Sequence, residues 1–160
     1  MDKKISIILI TFVFAMLIVV GVSSATKINV NSKSFSIKLA EKNPDDWSII
    51  KKGAYGQIFF SKGNMLQFTG FKLVPNTQYT LIYYGDKMNN DVWPFATCIK
   101  TTLSNKYGRI RDTGTFDYSG FIKDSIAEKF WIIRSSDIDC ANNQMTAWNP
   151  TEYLFEIPTI

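Results

Sequence analysis

Histidine is absent from all 160 residues of the chain. Its absence excludes the Ser–His–Asp triad, the Cys–His pair, the HExxH zinc motif and proton transfer through imidazole. A glycine-rich phosphate-binding loop is also missing. Glycoside hydrolases, which work with two carboxylates, are the main catalytic class that survives. The possible pairs, such as Glu152 with Glu156 or Asp112 with Asp117, have no specific spacing for that chemistry, and we predict a protein that is not an enzyme.

A strong charge of one sign is lacking as well. The chain has 18 basic and 14 acidic residues and a formal net charge of +4, and residues 26–160 have no charge run beyond Lys51 and Lys52. So mild and dispersed a balance argues against nucleic acid as a partner. The sequence shows no internal repeat and no low-complexity tract, so we expect residues 26–160 to form a single domain.

One long apolar run is present, over residues 5–22. Lys3 and Lys4 precede it and Ser23-Ser24-Ala25 follows it, which is the pattern of a secretory signal peptide cleaved after Ala25. The alternative is an uncleaved membrane anchor, because 18 residues at about 1.5 Å each nearly span a bilayer core. Both interpretations place residues 26–160 outside the cytoplasm, secreted or attached to the outer face of the cell membrane.

Only two cysteines occur, Cys98 and Cys140, both in the exported part. An isolated pair in an oxidising compartment predicts a disulfide. A redox role lacks the CxxC motif, and two thiols without histidine make a poor zinc site. We expect closure of so long a loop to stabilise the fold by about 4 kcal/mol.

Short strand signals recur along the exported part, and helix signals are scarce. A hairpin is predicted for residues 56–60 and 65–71 around Lys62-Gly63-Asn64, and a second for residues 95–101 and 107–116. Eight or nine short antiparallel strands predict an all-β fold, an antiparallel β-sandwich of the immunoglobulin-like or fibronectin-like kind. A small closed β-barrel is the alternative.

Aromatic residues are plentiful: four Trp, seven Tyr and twelve Phe. Trp93 lies beside a proline in a polar loop and is the best candidate for an exposed ring. Tyr83 and Tyr84 point to opposite faces of one predicted strand, so one of them is expected to be exposed. Exposed Trp and Tyr stack on sugar rings or anchor protein partners, which makes these three the candidate ligand-binding residues. The alternative for each is packing in the core.

Closely spaced oxygen ligands occur at Asp137 and Asp139, with Asn142 just beyond them. Such spacing on a loop is a candidate Ca²⁺ site. Residue 141 is alanine, however, and the glycine and closing glutamate of an EF-hand are missing, so a turn or capping role is the alternative. We predict no other cofactor.

Residues 73–84, with Leu73, Pro75, Thr77 and Tyr79, and residues 130–155, with Cys140 and Trp148-Asn149-Pro150, resemble two stretches of a module of unknown function found in secreted and cell-surface proteins of methanogenic archaea and some bacteria. Residues 73–84 follow its pattern L-x-P-x-T-x-Y-x-L-I-Y-Y. Residues 130–155 resemble its end, through Ser135-Ser136-Asp137, Asp139-Cys140, Trp148-Asn149-Pro150 and Tyr153-Leu154-Phe155-Glu156. The resemblance implies an extracytoplasmic β-sandwich module and supports pairing of Cys98 with Cys140. It implies no activity and no binding residue.

Three functional hypotheses follow. The first is an exported binding or adhesion module for a cell-surface protein or glycan. The second is a structural component of the envelope without a discrete ligand, and the least favoured is a carboxylate-based enzyme acting on glycans. A concave surface with exposed aromatic rings would favour the first, a uniformly polar surface the second, and two carboxylates about 5–10 Å apart in a cleft the third.

Overall fold

The computed structural model describes residues 34–85, 96–117 and 128–157. Those residues form ten β-strands and two short 3₁₀ helices, and no α-helix occurs among them. Within the same ranges, no helix has the length and apolar character needed to cross a membrane. The predicted signal or anchor, residues 1–25, lies outside the described residues.

Eight of the strands form one antiparallel sheet, and two short strands form a separate hairpin. The strands are β1 Phe35–Ala40, β2 Tyr55–Ser61, β3 Met65–Phe71, β4 Gln78–Gly85, β5 Ala96–Leu103, β6 Ile110–Thr115, β7 Glu128–Arg134, β8 Ile138–Asp139, β9 Gln144–Met145 and β10 Leu154–Glu156. The 3₁₀ helices are η1 Ser135–Asp137 and η2 Pro150–Glu152.

The large sheet has the strand order β5-β4-β7-β10-β1-β2-β3-β6. Its two edge strands, β5 and β6, lie against each other, so the sheet curls round until it is nearly closed. The all-β antiparallel class is therefore confirmed. The architecture is consistent with both predicted alternatives, a sandwich and a small barrel, because one continuous sheet folds over a single interior.

The predicted hairpin of β2 and β3 is confirmed, with Gly63 at φ 75° and Asn64 at φ 60° in its turn. The second predicted hairpin is wrong. β5 and β6 do follow each other in the chain, but β5 pairs with β4 and β6 pairs with β3. Consecutive strands often pair with each other. Here the connection from β5 to β6 runs from one edge of the curled sheet to the other, so the two strands have different partners.

The interior of the sheet is filled by side chains that alternate along every strand. The fully buried members include Ile58 and Phe60 of β2, Leu66 and Phe68 of β3, and Leu81 of β4. Each such side chain contributes about 1.5–3 kcal/mol when it leaves water. This inner core joins all the strands of the large sheet, with the edge strand β6 contributing the buried Ile110 and the edge strand β5 only the partly buried Ile99.

A second core lies on the outer face of half of the sheet. We call strands β5, β4, β7 and β10 the covered half, because residues 135–153, the covering segment, pack over their outer face. The buried residues of this outer core are Ile82, Ala96, Ile133, Ile138, Met145, Tyr153 and Phe155. We call strands β1, β2, β3 and β6 the open half.

The disulfide between Cys98 and Cys140 attaches the covering segment to β5, as predicted. The Cα atoms of the two cysteines are 5.5 Å apart. A backbone hydrogen bond of 3.0 Å from the Ala96 N–H to the Asn143 carbonyl adds a second link between the same two elements. The covering segment is therefore fastened to the sheet by a covalent bond as well as by packing.

Residues of the stretch 73–84 build the corner that precedes β4. The Tyr79 hydroxyl accepts a hydrogen bond of 3.0 Å from the Val74 N–H, and the Ser104 hydroxyl donates one of 2.7 Å to the Val74 carbonyl. Ser104 also accepts from the Thr77 N–H at 2.9 Å. Val74, Thr77 and Tyr79 therefore have a structural role, because their hydrogen bonds fix the connection that leads into β4 of the covered half.

Candidate functional site

The predicted ligand-binding aromatics fall in two places. Trp93 lies outside the described residues, so its role stays a prediction. Tyr84 is 8% exposed and stacks on Trp131 with ring centroids 4.4 Å apart, while Tyr83 is half-buried with its ring 5.2 Å from that of Phe130. Both faces of β4 are covered, so the predicted exposed tyrosine stripe is not found, and a ligand-binding role for either tyrosine stays a prediction.

Asp137, the first candidate Ca²⁺ ligand, is the centre of a buried hydrogen-bond network in the covering segment. Its carboxylate accepts hydrogen bonds from the hydroxyls of Tyr153 at 2.5 Å and Ser136 at 2.7 Å, and from the Asn149 amide at 2.9 Å. Burial alone would raise the pKa of Asp137, but these hydrogen bonds outweigh it and hold the pKa below its usual value. The ionised carboxylate is therefore satisfied by neutral donors.

Asp139, the second candidate Ca²⁺ ligand, closes a turn. Its carboxylate accepts hydrogen bonds from the Ala141 N–H at 2.9 Å and from the side-chain amide of Asn142 at 2.6 Å. This is the turn role that the sequence analysis gave as the alternative. In the described part of the chain, no group of three or more His, Cys, Asp or Glu residues is arranged to hold a metal ion.

The carboxylates named as possible acid–base pairs have structural partners. Glu152 forms an ion pair with Arg134, and the buried Glu156 accepts a hydrogen bond of 3.0 Å from the Phe130 N–H. A cavity lined by both Glu41 and Glu152 has a volume of only about 50 Å³. Ligand pockets are roughly 300 Å³ or larger, so this cavity is too small for a sugar ring.

The outer face of the open half carries an arrangement of exposed rings that the sequence analysis missed. Tyr55 of β2 pairs in register with Phe71 of β3, and their rings stack with centroids 5.0 Å apart and an interplanar angle of 20°. Tyr55 is 50% exposed. The guanidinium carbon of Arg109 lies 5.8 Å from the centre of the Phe71 ring, which extends the row by a cation.

Gly108 holds the loop that carries Tyr107 and Arg109 against the end of β3. Its φ is +65°, and a Cβ atom there would lie 2.0 Å from the Leu73 carbonyl oxygen, so no other residue fits without a shift of the backbone. The Leu73 N–H donates to the Gly108 carbonyl at 2.9 Å. The Asn105 side chain accepts from the N–H groups of Tyr107 and Arg109, which fixes the loop from its other side.

Lys72 directly follows Phe71 and has a left-handed backbone, with φ +60°. Such a conformation is uncommon for a residue with a side chain and marks a position worth attention. Its ammonium group donates a hydrogen bond of 3.0 Å to the Lys52 carbonyl. The Lys72 charge is therefore held between the end of β3 and the loop that precedes β2.

The same loop is shaped by Glu41. One of its carboxylate oxygens accepts a hydrogen bond of 2.7 Å from the Ala54 N–H, and a Cβ atom on Gly53 would come within 2.6 Å of that oxygen. Glycine at position 53 therefore lets the loop close over the carboxylate. The result is a fixed wall beside Tyr55.

Two clefts flank Tyr55 on this face. One has a volume of about 350 Å³ and is lined by Tyr55, Phe71, Lys72, Tyr107 and Arg109. The other, of about 430 Å³, shares Tyr55 and Lys72 with the first and extends along Ile49, Ile50, Gln57 and three further lysines, Lys38, Lys51 and Lys52. Both volumes lie in the range of small-ligand sites. We call the two clefts together the open-face site.

A signal in the sequence could have located the stacked pair. A turn centred on Gly63 puts Tyr55 opposite Phe71 once the hairpin register is followed from its end. The positions of Tyr107 and Arg109 had no such local signal, because they reach the site through the contact of Gly108 with Leu73.

Comparison with protein-family models, with curated proteins and with solved structures finds no match. The open-face site is therefore interpreted from its own geometry and chemistry. The resemblance to the envelope module stays a prediction.

Proposed function

We propose that the protein is an exported binding module that holds a glycan of the cell envelope in the open-face site. The observation that carries the proposal is the half-exposed Tyr55 stacked on the partly exposed Phe71, beside a cleft of about 350 Å³. Flat aromatic rings at the surface offer an apolar face for the C–H groups of a sugar ring, and a polar rim for its hydroxyls.

The surroundings of the pair supply that rim. Gln57 and Thr69 are the next pair of β2 and β3 on the same face of the sheet, and the 68%-exposed Tyr107 lines the smaller cleft. Hydroxyl, amide and phenol groups beside an apolar floor suit a polyhydroxylated ligand. A purely structural envelope protein has no need of this arrangement.

Export itself is part of the proposal. The disulfide of Cys98 and Cys140 is compatible with an oxidising compartment, as is the secretory pattern of residues 1–25. An enzymatic role receives no support from the carboxylates described above, which are engaged in an ion pair, in hydrogen bonds or in turns.

The test is binding of the purified, oxidised protein to polysaccharide and protein fractions of the native envelope, assayed separately. We expect saturable binding to a polysaccharide fraction and a loss of about tenfold in affinity for Tyr55→Ala, because a stacking ring and its buried area are removed. Phe59→Ala is the matched control, since Phe59 is on the same strand and 46% exposed but does not line either cleft. Equal loss in both variants, or binding to neither polysaccharide nor protein, would leave the structural alternative ahead.

A further inference from the structure

The charge of the open-face site points to the class of glycan. We infer that its ligand is an acidic polysaccharide whose sugar units each carry a carboxylate, as in a polyuronate. The inference rests on the proposed function and narrows it. Two observations support it: the charges of the residues that line the two clefts, and the positions of the carboxylates in the rest of the described residues.

Five cations and no carboxylate line the two clefts in the described part of the chain. Lys38, Lys51 and Lys52 belong to the larger cleft, Arg109 to the smaller one, and Lys72 to both. A site built for a neutral sugar has no use for so much charge of one sign, since the mutual repulsion of the cations opposes folding. An anionic ligand relieves that repulsion when it binds.

On the covered half, by contrast, cations lie beside carboxylates. Arg134 is paired with Glu152, and Lys129 lies 4.0 Å from the carboxylate of Glu156. Near the open-face site, Glu41 lines the small neighbouring cavity that Lys72 also borders, but its carboxylate already accepts the Ala54 N–H. No carboxylate in the lining of the open-face site therefore balances its cations.

Two of the cations are placed for direct contact with a ligand that stacks on the aromatic pair. Arg109 lies over the Phe71 ring, and a guanidinium in that position keeps edge N–H groups for a carboxylate, which it can bind in bidentate fashion. Lys72 is held at the junction of the two clefts by its bond to the Lys52 carbonyl. A sugar ring over Tyr55 would thus have cations on either side.

The spread of the cations favours a polymer with one charge for each ring. The five charges are distributed over two adjoining clefts that share Tyr55 and Lys72: four lysines line the larger cleft, and Arg109 joins Lys72 in the smaller one. A phosphate or sulfate group is best held by several donors that converge on it. A chain of singly charged uronate rings fits distributed cations beside an aromatic floor.

The test measures the affinity of the full, oxidised protein for two polyuronates, polygalacturonate and alginate, with methyl-esterified polygalacturonate and dextran as neutral polymers and a polyphosphate as the other anion. We expect at least one polyuronate to bind, and to lose about tenfold or more in affinity on esterification or when the salt is raised from 50 to 500 mM. Arg109→Gln and Lys72→Met should each weaken polyuronate binding by about three- to tenfold and leave neutral polymers unaffected.

Lys100→Gln is the matched control, because it removes one positive charge from an exposed position on β5, away from both clefts. Equal affinity for the acid and its methyl ester would overturn the inference and leave the proposed glycan binding intact. Tighter binding of polyphosphate would overturn it in favour of a phosphorylated ligand. Binding of envelope glycan but of no polyuronate would also overturn it, whereas binding of no glycan at all would remove the proposed function as well.

Discussion

The two halves of the sheet share one inner core and differ on their outer faces. The covered half buries Ile82, Ile133 and Phe155 beneath a segment of its own chain. The open half leaves Tyr55 and Phe59 about half exposed, with no segment among the described residues packed over them. The chain thus covers one outer face with a segment of its own, and the exposed aromatic surface on the other face is the basis of the proposed binding site.

Polar groups follow the same division. On the covered half, Asp137 is surrounded by the hydroxyls and amides that satisfy it, so its charge serves the fold. On the open half, the charges that line the clefts face a space large enough for a ligand. Substitutions on the covered half should therefore change stability, and those on the open half should change binding.

The largest contrast is expected between two phenylalanines on the outer face. Phe155 is 2% exposed and its ring contacts Trp47, Trp131 and Tyr153, so Phe155→Ala should cost about 3–5 kcal/mol of unfolding free energy. Phe59→Ala should cost less than about 1 kcal/mol, because much of its ring is already in water. Urea unfolding measures both. Similar costs would mean that the open half is covered after all.

The disulfide gives the next largest effect. Cys98 and Cys140 are 42 residues apart, and opening so long a loop should lower the unfolding free energy by about 2–4 kcal/mol. The expected result of the double substitution Cys98→Ser with Cys140→Ser is a lower urea midpoint with unchanged glycan affinity for whatever fraction is folded. Loss of binding by the folded variant would show that the two faces are coupled.

The Asp137 network predicts an intermediate effect. Tyr153→Phe removes a hydroxyl that donates to Asp137 and accepts the Asn149 N–H at 2.9 Å, and should cost about 1–3 kcal/mol. Thermal unfolding at neutral pH, compared with that of the wild-type protein, measures the loss. An unchanged melting temperature would mean that water replaces the hydroxyl at no cost.

The same network predicts a dependence on pH. The folded-state pKa of Asp137 lies below its unfolded value of about 3.9, so its contribution to stability is present above that value and is lost as the pH falls through the folded pKa. Wild-type stability should therefore decline below about pH 4. Asp137→Asn, though less stable at neutral pH, should show a shallower decline over that window, and an equal slope in the two proteins would assign the acid sensitivity to other groups.

The smallest effect on stability is expected at Lys72. Lys72→Gly removes the ammonium group while relieving the left-handed backbone, so the gain and the loss of free energy should nearly cancel to within about 1 kcal/mol. Glycan affinity should fall in the same variant. A large loss of stability would show that the hydrogen bond from Lys72 to the Lys52 carbonyl serves mainly to stabilise the fold.

Local features were predictable from the sequence. The β2–β3 hairpin follows from a glycine and an asparagine that accept positive φ between two alternating runs. The disulfide follows from there being only two cysteines in a chain with a secretory pattern. The hairpin depends on neighbouring residues, and two cysteines can pair within the chain in only one way. Neither prediction therefore needs tertiary information.

The errors and omissions concern partners that are distant in sequence. Alternation along β4 shows that Tyr83 and Tyr84 lie on different faces, but it does not show that a segment some fifty residues later covers one of them. The pairing of β6 with β3, in place of β5, has the same origin, because closure of the sheet decides it.

The sequence by itself determined the β class, the hairpin, the cysteine pair and which side chains share a face of each strand. Only the tertiary structure decided which faces stay exposed, and it assembled Tyr55, Phe71 and Arg109 into one site. The physical reason is that alternation is set by the local geometry of an extended backbone, whereas exposure depends on which distant segment packs over a face.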